Sequence, residues 1–235
     1  MLKILFSLLL LMLSGNALAK ECVILLHGLL RGSGSMVTME RALVRAGYEV
    51  SNIDYPSRGY KIEQLAEMAI DAGIQSCQQK SATPINFVTH SLGGILVRVY
   101  FKTHQRDDLH RVVMLGPPNR GSEVVDKLKG VPGFEWLNGQ AGMHLGTAPD
   151  DIPRLLGPVD FELGVIAGTR SINFLLSPFV PNPDDGVVSV ASTTVEGMRD
   201  FIALPATHTF MMKNERVIEQ VIHFLKHGRF SVVEP

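Results

Sequence analysis

Short apolar runs that alternate with longer helical patterns constrain the fold of this chain more than any other feature of its sequence. Residues 22–28 (CVILLHG) and 85–90 (INFVTH) have the length and apolar content of buried strands. Between them, residues 60–77 repeat apolar side chains at helical spacing. This order of strand and helix predicts a mostly parallel sheet that is covered by helices on both faces.

The rest of the chain keeps the same order. The predicted helices lie at 35–48, 92–104 and 208–228, and the further predicted strands at 48–56, 111–116, 163–168 and 200–205. We therefore expect one α/β domain with a sheet of about six strands, formed by residues 20–235.

Residues 117–161 depart from this order, because they are rich in Gly and Pro and show only short helical patterns. A connection of that length inside a compact domain is usually functional, such as a lid or a binding loop. We therefore predict a cap over one end of the sheet. The alternative is an insertion without a functional role.

The first 19 residues have the pattern of a secretory signal peptide. Lys3 gives a positive start, an apolar run follows at 4–13, and Ala17-Leu18-Ala19 is a small-x-small cleavage signal. The apolar run is shorter than the roughly 20 residues that span a bilayer. We expect cleavage after Ala19 and export to the periplasm or the medium. The alternative is a chain anchored in the membrane by an uncleaved signal.

The charge balance bears on the partners of the protein. The chain has 22 Lys and Arg, one of which is Lys3, against 23 Asp and Glu. The exported chain would therefore be nearly neutral. Because no basic patch or tail is present in the sequence, we do not expect nucleic acid as a partner.

The two cysteines, Cys22 and Cys77, would both reach an oxidising compartment, where disulfides form. Cys22 opens the first strand, and Cys77 ends the helix that leads into strand 85–90. If these two strands are close neighbours, the cysteines can meet at the amino edge of the sheet. We name this pair as the candidate disulfide.

The segment INFVTHSLGG (85–94) places Ser91 between a strand and a helix. This is the context of a nucleophile elbow, in which a sharp turn raises the serine hydroxyl above the sheet. Gly93 allows the strand and helix to approach, but Thr89 stands where the G-x-S-x-G pattern has glycine. The alternative is that Ser91 only caps the following helix.

A serine nucleophile needs a base and a carboxylate, which follow it in the order Ser, Asp or Glu, His on this kind of fold. His208 comes directly after the last strand, and Asp185 lies in a turn just before Gly186. Both positions fall at the carboxyl edge of the sheet, where ligands bind. Asp184 is the alternative acid, unless it only forms the turn.

Backbone N–H groups must stabilise the oxyanion of such a reaction. Leu92 directly follows Ser91, and Leu29 follows His27-Gly28 at the end of the first strand. We expect these two residues to form the oxyanion hole. The alternative for His27-Gly28 is a simple turn that ends the strand.

The chain resembles the α/β-hydrolase superfamily, and within it the bacterial secreted esterases and lipases of the triacylglycerol lipase type. The segments that carry the resemblance are VILLHGLL, residues 47–57, FVTHSLGGILVR, VVMLGPPNRGSEVVD, DDGVVSVAS and THTF. The resemblance implies hydrolysis of acyl esters through a serine acyl-enzyme, with Ser91, Asp185 and His208 as the triad and Leu29 and Leu92 as oxyanion donors.

Two positions differ from relatives. Thr89 replaces the usual small residue, and Phe210 stands where some relatives hold calcium with an aspartate. We therefore expect neither a metal nor another cofactor.

Apolar residues near the carboxyl edge suggest a pocket for an apolar acyl group. The candidates are Leu30, Phe134, Trp136, Phe174 and Phe179. The alternative is that these side chains form a small core of the cap itself. We expect a monomer whose partners are a small-molecule or lipid ester and, transiently, a lipid surface. An acyltransferase with the same triad and a non-catalytic hydrolase-fold binding protein are the alternative functions.

Overall fold

The computed structural model of the protein describes residues 20–172 and 177–232. The predicted signal peptide, residues 1–19, and the predicted pocket residue Phe174 lie outside these ranges.

Six strands form one sheet in which every neighbouring pair is parallel. They are β1 (Cys22–Leu26), β2 (Glu49–Ile53), β3 (Ile85–His90), β4 (Leu109–Leu115), β5 (Leu163–Gly168) and β6 (Asp200–Leu204). Their order in the sheet is β2-β1-β3-β4-β5-β6. The prediction of a mostly parallel sheet of about six strands is therefore confirmed.

Helices cover both faces of this sheet. The α-helices are α1 (Val37–Arg45), α2 (Ile62–Gln79), α3 (Leu92–Phe101), α4 (Glu123–Leu128), α5 (Phe134–Met143), α6 (Ile152–Leu155), α7 (Val190–Thr193) and α8 (Glu215–His227). Single 3-10 turns occupy Ser33–Met36, Ser177–Phe179 and His208–Lys213. Within the described ranges, the chain contains no helix that is both long and apolar enough to cross a membrane.

Alternation along the strands divides the core into two layers, because successive side chains of a strand point to opposite faces. Ile24 and Phe87 pack with residues of α2 and α3 on one face. Leu25 and Val88 pack with residues of α1 and α8 on the other. The nearly continuous apolar sequences of β1 and β3 follow from burial on both faces.

The closing helix is shorter than the predicted helix at 208–228. Residues His208–Lys213 form a 3-10 turn, and α8 begins only at Glu215. The break occurs at Asn214, whose backbone is extended and whose side-chain oxygen accepts a hydrogen bond from the N–H of Val217 at 3.3 Å. This is the contact of a helix N-cap, which a continuous helix would not allow. As a result, His208 lies in a turn at the carboxyl edge.

A disulfide joins Cys22 to Cys77, with the two Cα atoms 5.8 Å apart and both side chains fully buried. The pairing follows from strand order, since β1 and β3 are neighbours and Cys22 lies level with Ile85. The bond lies at the amino edge of the sheet, opposite the edge that carries Ser91.

The predicted cap segment, residues 117–161, contains the short helices α4, α5 and α6. It is tied to α3 by Arg98, which is buried and donates hydrogen bonds to the carbonyl oxygens of Asn119, Pro153 and Gly157 at 2.8, 3.3 and 2.7 Å. The helix that follows Ser91 therefore shares a rigid contact with this segment.

Candidate active site

Ser91 occupies a sharp turn between β3 and α3. Its backbone has φ 52° and ψ −118°, a strained conformation for a residue with a side chain. In the described part of the chain its hydroxyl makes no capping bond to α3 and lies instead 3.0 Å from Nε2 of His208. The geometry is that of a nucleophile elbow rather than of a helix cap.

The residues on either side of the turn show why this sequence forms it. A Cβ atom at Gly93 would lie 2.8 Å from the carbonyl oxygen of Leu26, so α3 can start this close to β1 only with glycine there. Thr89 is buried in regular strand pairing, level with Leu26 and Met114. Because the sharp turn begins after His90, Thr89 does not crowd it.

His208 lies between Ser91 and Asp185 and contacts both. Nδ1 of His208 lies 2.7 Å from Oδ2 of Asp185, and the backbone N–H of His208 donates to the Asp185 carbonyl at 2.9 Å. The other carboxylate oxygen, Oδ1, accepts from the N–H groups of Val187 and Val188 at 3.0 and 2.8 Å. The Asp185 side chain is therefore held in one orientation, facing the imidazole.

Asp184 has a different set of contacts. Its Oδ1 accepts a hydrogen bond from the backbone N–H of Gly186 at 2.7 Å, which is an Asx-turn. The structure thus brings Asp185, and not Asp184, against His208.

His90 is a component of the site that sequence reasoning missed. Its Nε2–H donates to the backbone carbonyl of His208 at 3.0 Å, and the two rings lie 4.7 Å apart. Burial, and next the positive charge that His208 can carry, hold the pKa of His90 well below its ordinary value. A neutral His90 with its proton on Nε2 therefore fixes the backbone that carries His208.

The loops after β1 and β2 are joined by His27 and Tyr55, whose rings stack at 4.0 Å. The Tyr55 hydroxyl donates to the His27 carbonyl, and the Tyr55 N–H donates to Nε2 of His27 at 3.3 Å. Burial lowers the pKa of His27, which keeps Nε2 free to accept. This contact fixes the chain just before Leu29.

The two predicted oxyanion donors lie at the start of α3 and in the loop after β1. Leu92 is the first residue of α3, so its N–H belongs to the group at a helix start that has no acceptor within the helix. Leu29 follows the fixed His27-Gly28 and precedes Leu30, whose left-handed φ of 61° turns the loop. Both N–H groups lack a hydrogen-bond acceptor among the described residues.

A cavity of about 590 Å³ opens beside Ser91. Leu30 and Phe134, two of the candidate pocket residues, line it together with Leu29. Leu137 lines it as well. Its other apolar walls, which sequence reasoning missed, are Val124, Val125, Leu128, Leu145, Val187 and Val188. The spacing of residues 124, 125 and 128 on one face of a helix was a signal that could have indicated part of this wall.

Two other predicted pocket residues do not line this cavity. Trp136 is 84% exposed and borders a separate depression next to it. Phe179 lies in the Ser177–Phe179 turn and is 42% exposed.

The chain matches a family model in sequence and solved structures in fold. A sequence model described as the alpha/beta hydrolase fold matches residues 21–141. A search of the curated proteins finds no match to the sequence.

Solved structures with the same fold include bacterial hydrolases. The mature form of lipase BlEst2 from Bacillus licheniformis has a TM-score of 0.70 and 19% identity, over 88% of this chain and 92% of that one. Phospholipase PlaB from Legionella pneumophila has a TM-score of 0.61 and 17% identity, over 75% of this chain and 45% of that one.

An extracellular α/β-hydrolase from a Paenibacillus species has a TM-score of 0.57 and 16% identity, over 87% of this chain and 98% of that one. The matched family model covers more than half of the sequence. The chain belongs to the α/β-hydrolase family.

Proposed function

We propose that the protein is a serine hydrolase of carboxylic esters, an esterase or lipase that acts through an acyl-enzyme on apolar acyl esters. The observation that carries the proposal is the continuous contact from Ser91 through His208 to Asp185 beside an apolar cavity. The lipase and phospholipase among the structures with this fold support the same class of reaction.

In the proposed first step, Oγ of Ser91 attacks the carbonyl carbon of the ester and its proton passes to Nε2 of His208. Asp185 accepts from Nδ1–H, which sets the tautomer that the base needs and stabilises the imidazolium. The negative charge on the former carbonyl oxygen is stabilised by the N–H groups of Leu29 and Leu92.

In the second step, the tetrahedral intermediate expels the alcohol, which receives the proton from His208, and leaves an acyl group on Ser91. Water then attacks the acyl group in the same way, with His208 as the base. The carboxylic acid is released, and the proton returns to Oγ of Ser91. An acceptor other than water would give acyl transfer through the same intermediate.

The segment 117–161 acts in this proposal as a cap that encloses the acyl group, since α4 and α5 supply much of the apolar wall. Its exposed apolar side chains, such as Trp136 and Leu137, would make the transient contact with lipid surfaces. The proposed protein is an exported monomer, and its export is supported by the buried disulfide and by the extracellular Paenibacillus hydrolase of the same fold.

The first experiment is hydrolysis of p-nitrophenyl esters from acetate to palmitate by the mature chain and by Ser91→Ala. We expect the variant to lose at least about 10³-fold in kcat, because loss of a triad nucleophile typically costs on the order of 10⁶. Ser231→Ala, in the C-terminal segment, is the matched control and should keep full activity.

A fluorophosphonate label tests the nucleophile without a choice of substrate. Mass spectrometry should find one adduct, on Ser91, in the wild type and no adduct in Ser91→Ala. A folded wild type that neither turns over any ester nor takes up the label would contradict the proposal and favour a non-catalytic binding protein. Products in which the acyl group has moved to an added alcohol would identify an acyltransferase.

A further inference from the structure

A second depression of about 700 Å³ lies next to the Ser91 cavity. Leu30 and Arg31 line both, so they form the boundary between them. The far side of the depression is formed by the loop 55–59 after β2 and by Trp136 and Gly139 of α5. A substrate in the Ser91 cavity can therefore extend across Leu30 and Arg31 into the depression.

The depression has a positive character. Arg31 and Arg58 line it, and no Asp or Glu is among its lining residues. In residues 20–172 and 177–232, neither guanidinium forms an ion pair with a carboxylate. Asp54, just before the loop, already accepts from the N–H of Ser33 at 2.8 Å. Two unpaired arginines at one depression favour an anionic ligand.

Arg58 is positioned by two contacts with the backbone of α5. Nη1 of Arg58 donates to the carbonyl of Leu137 at 3.2 Å, which holds its fork against α5 and leaves its other N–H groups for a ligand. The Arg58 carbonyl packs against Gly139, where α5 is kinked with φ 66° and where a side chain would collide with it. The loop after β2 and α5 are thus fixed to each other at the depression.

Arg31 follows Leu30, whose φ of 61° is strained for leucine, and its N–H donates to the Gly28 carbonyl at 3.3 Å. The tight turn directs Arg31 to the boundary of the two cavities. Its positive charge lies near the site. Burial lowers the pKa of His90 most and His208 next, and the charge of Arg31 lowers it further. Strain of this kind is often found at ligand sites.

We infer that the depression binds an anionic group of the substrate, a phosphate above all, through Arg31 and Arg58 while the ester lies at Ser91. The inference rests on the proposed function and narrows its substrates to esters that carry both an apolar acyl group and an anionic group. Trp136, exposed at the edge of the depression, would cover one side of that group. The phosphate can belong to a lipid headgroup or to a soluble ester.

The test compares two soluble esters that differ only in the phosphate, 1-butanoylglycerol and 1-butanoylglycerol 3-phosphate. We expect wild-type kcat/KM to favour the phosphate ester. The double variant Arg31→Gln/Arg58→Gln should lower this preference at least about tenfold, because it removes charge-assisted hydrogen bonds to the phosphate. Arg216→Gln, an exposed arginine on α8, is the charge-matched control and should keep the wild-type preference.

A lipid arm identifies the source of the phosphate. Phosphatidylglycerol and diacylglycerol of the same acyl chains, each in neutral detergent micelles, are compared with the same variants. If the arginines affect the preference only for the lipids in micelles, the site binds lipid headgroups. If they affect the preference within the soluble pair, the site binds soluble phosphate esters. If the wild type hydrolyses the esters of both pairs without such a preference, the inference is wrong.

Binding separates this inference from the proposed function. Ser91→Ala should bind intact 1-butanoylglycerol 3-phosphate in isothermal titration more tightly than 1-butanoylglycerol, and the two arginine substitutions should remove the difference. This result would support the anionic site even if the wild type hydrolysed neither ester. Equal binding of the two esters would overturn the inference while leaving ester hydrolysis intact.

Discussion

Asp185 and Asp184 are neighbours whose carboxylates have different contacts, and this difference predicts different effects of the same substitution. Asp185→Asn should lower kcat for a p-nitrophenyl ester by about 10³–10⁴-fold, because an amide opposite Nδ1 favours the wrong tautomer of His208. Asp184→Asn keeps an oxygen that can accept from Gly186 N–H and should retain most of the activity. A larger loss in Asp184→Asn than in Asp185→Asn would reverse the assignment of the acid.

His90 and His27 are buried, and burial lowers the pKa of each from an ordinary value of 6.5. About one pH unit or more above 6.5, both are neutral in the folded and unfolded chains, and their full contribution to stability is present. As the pH falls below 6.5, the unfolded chain binds protons that the folded chain does not. The free energy of unfolding should therefore fall by up to about 1.4 kcal/mol per pH unit for each group.

Urea unfolding from about pH 7.5 to about pH 5, on either side of the ordinary histidine pKa, measures this slope. His90→Gln keeps an N–H group for the His208 carbonyl but does not titrate, so it should reduce the slope. An unchanged slope in His90→Gln would show that His90 is not the source. Activity of this variant at pH 7.5 should stay near that of the wild type, since the contact to His208 is preserved.

At the residue scale, sequence order indicated Ser91 and His208 because each lies just beyond the carboxyl end of a strand. The role of His90 could not be predicted, since it depends on a contact between residues 118 positions apart. Nor could the exposure of Trp136 be predicted, because hydrophobicity alone does not say which side of a helix in segment 117–161 faces the cavity. A kink at Gly139 changes the helical phase of α5 as well.

Arg98 connects two elements, the helix that follows Ser91 and the segment 117–161. Burial lowers its pKa to about 10, so it remains charged at neutral pH, where carbonyl oxygens and the Asn119 side chain accept from it. Arg98→Lys cannot reach all of these acceptors, and each buried acceptor left unpaired costs about 1–3 kcal/mol. We expect a loss of about 3 kcal/mol in the free energy of unfolding, measured in urea.

Arg120→Lys is the matched control for that experiment. Arg120 is exposed and its Nε donates to the Thr194 carbonyl at 3.2 Å, so the change should stay within about 0.5 kcal/mol. If Arg98→Lys is as stable as Arg120→Lys, Arg98 does not hold the two elements together.

At the element scale, the strands were the easiest to predict because burial on both faces gives each a short, continuous apolar run. The end of the chain was harder. Apolar residues at 210–212 and 217–225 suggested one helix, but the N-cap at Asn214 divides them. Propensity does not reveal that His208 must remain outside the helix to reach Asp185.

At the scale of the whole molecule, strand order decides which distant residues meet. The sequence alone does not specify that β1 lies between β2 and β3, although that order places Cys22 near the end of α2 and Leu29 near Ser91. The amino edge is thus closed by a covalent bond, while the carboxyl edge carries the loops of the site.

The Cys22–Cys77 bond should make a large contribution to stability, because it restricts a loop between residues 55 positions apart in the unfolded chain. Loop-closure entropy for that length corresponds to about 4 kcal/mol. Urea unfolding of Cys22→Ala, Cys77→Ala and the double variant measures it. Each single variant should lose nearly as much as the double variant, since either substitution removes the whole bond.

Thiol titration of the denatured wild type should find no free thiol before reduction and two afterwards. Two reactive thiols before reduction in the exported protein would contradict the bond. Protein made in a reducing cytoplasm should resemble the double variant in urea, whereas exported protein should not, because oxidising compartments form such bonds.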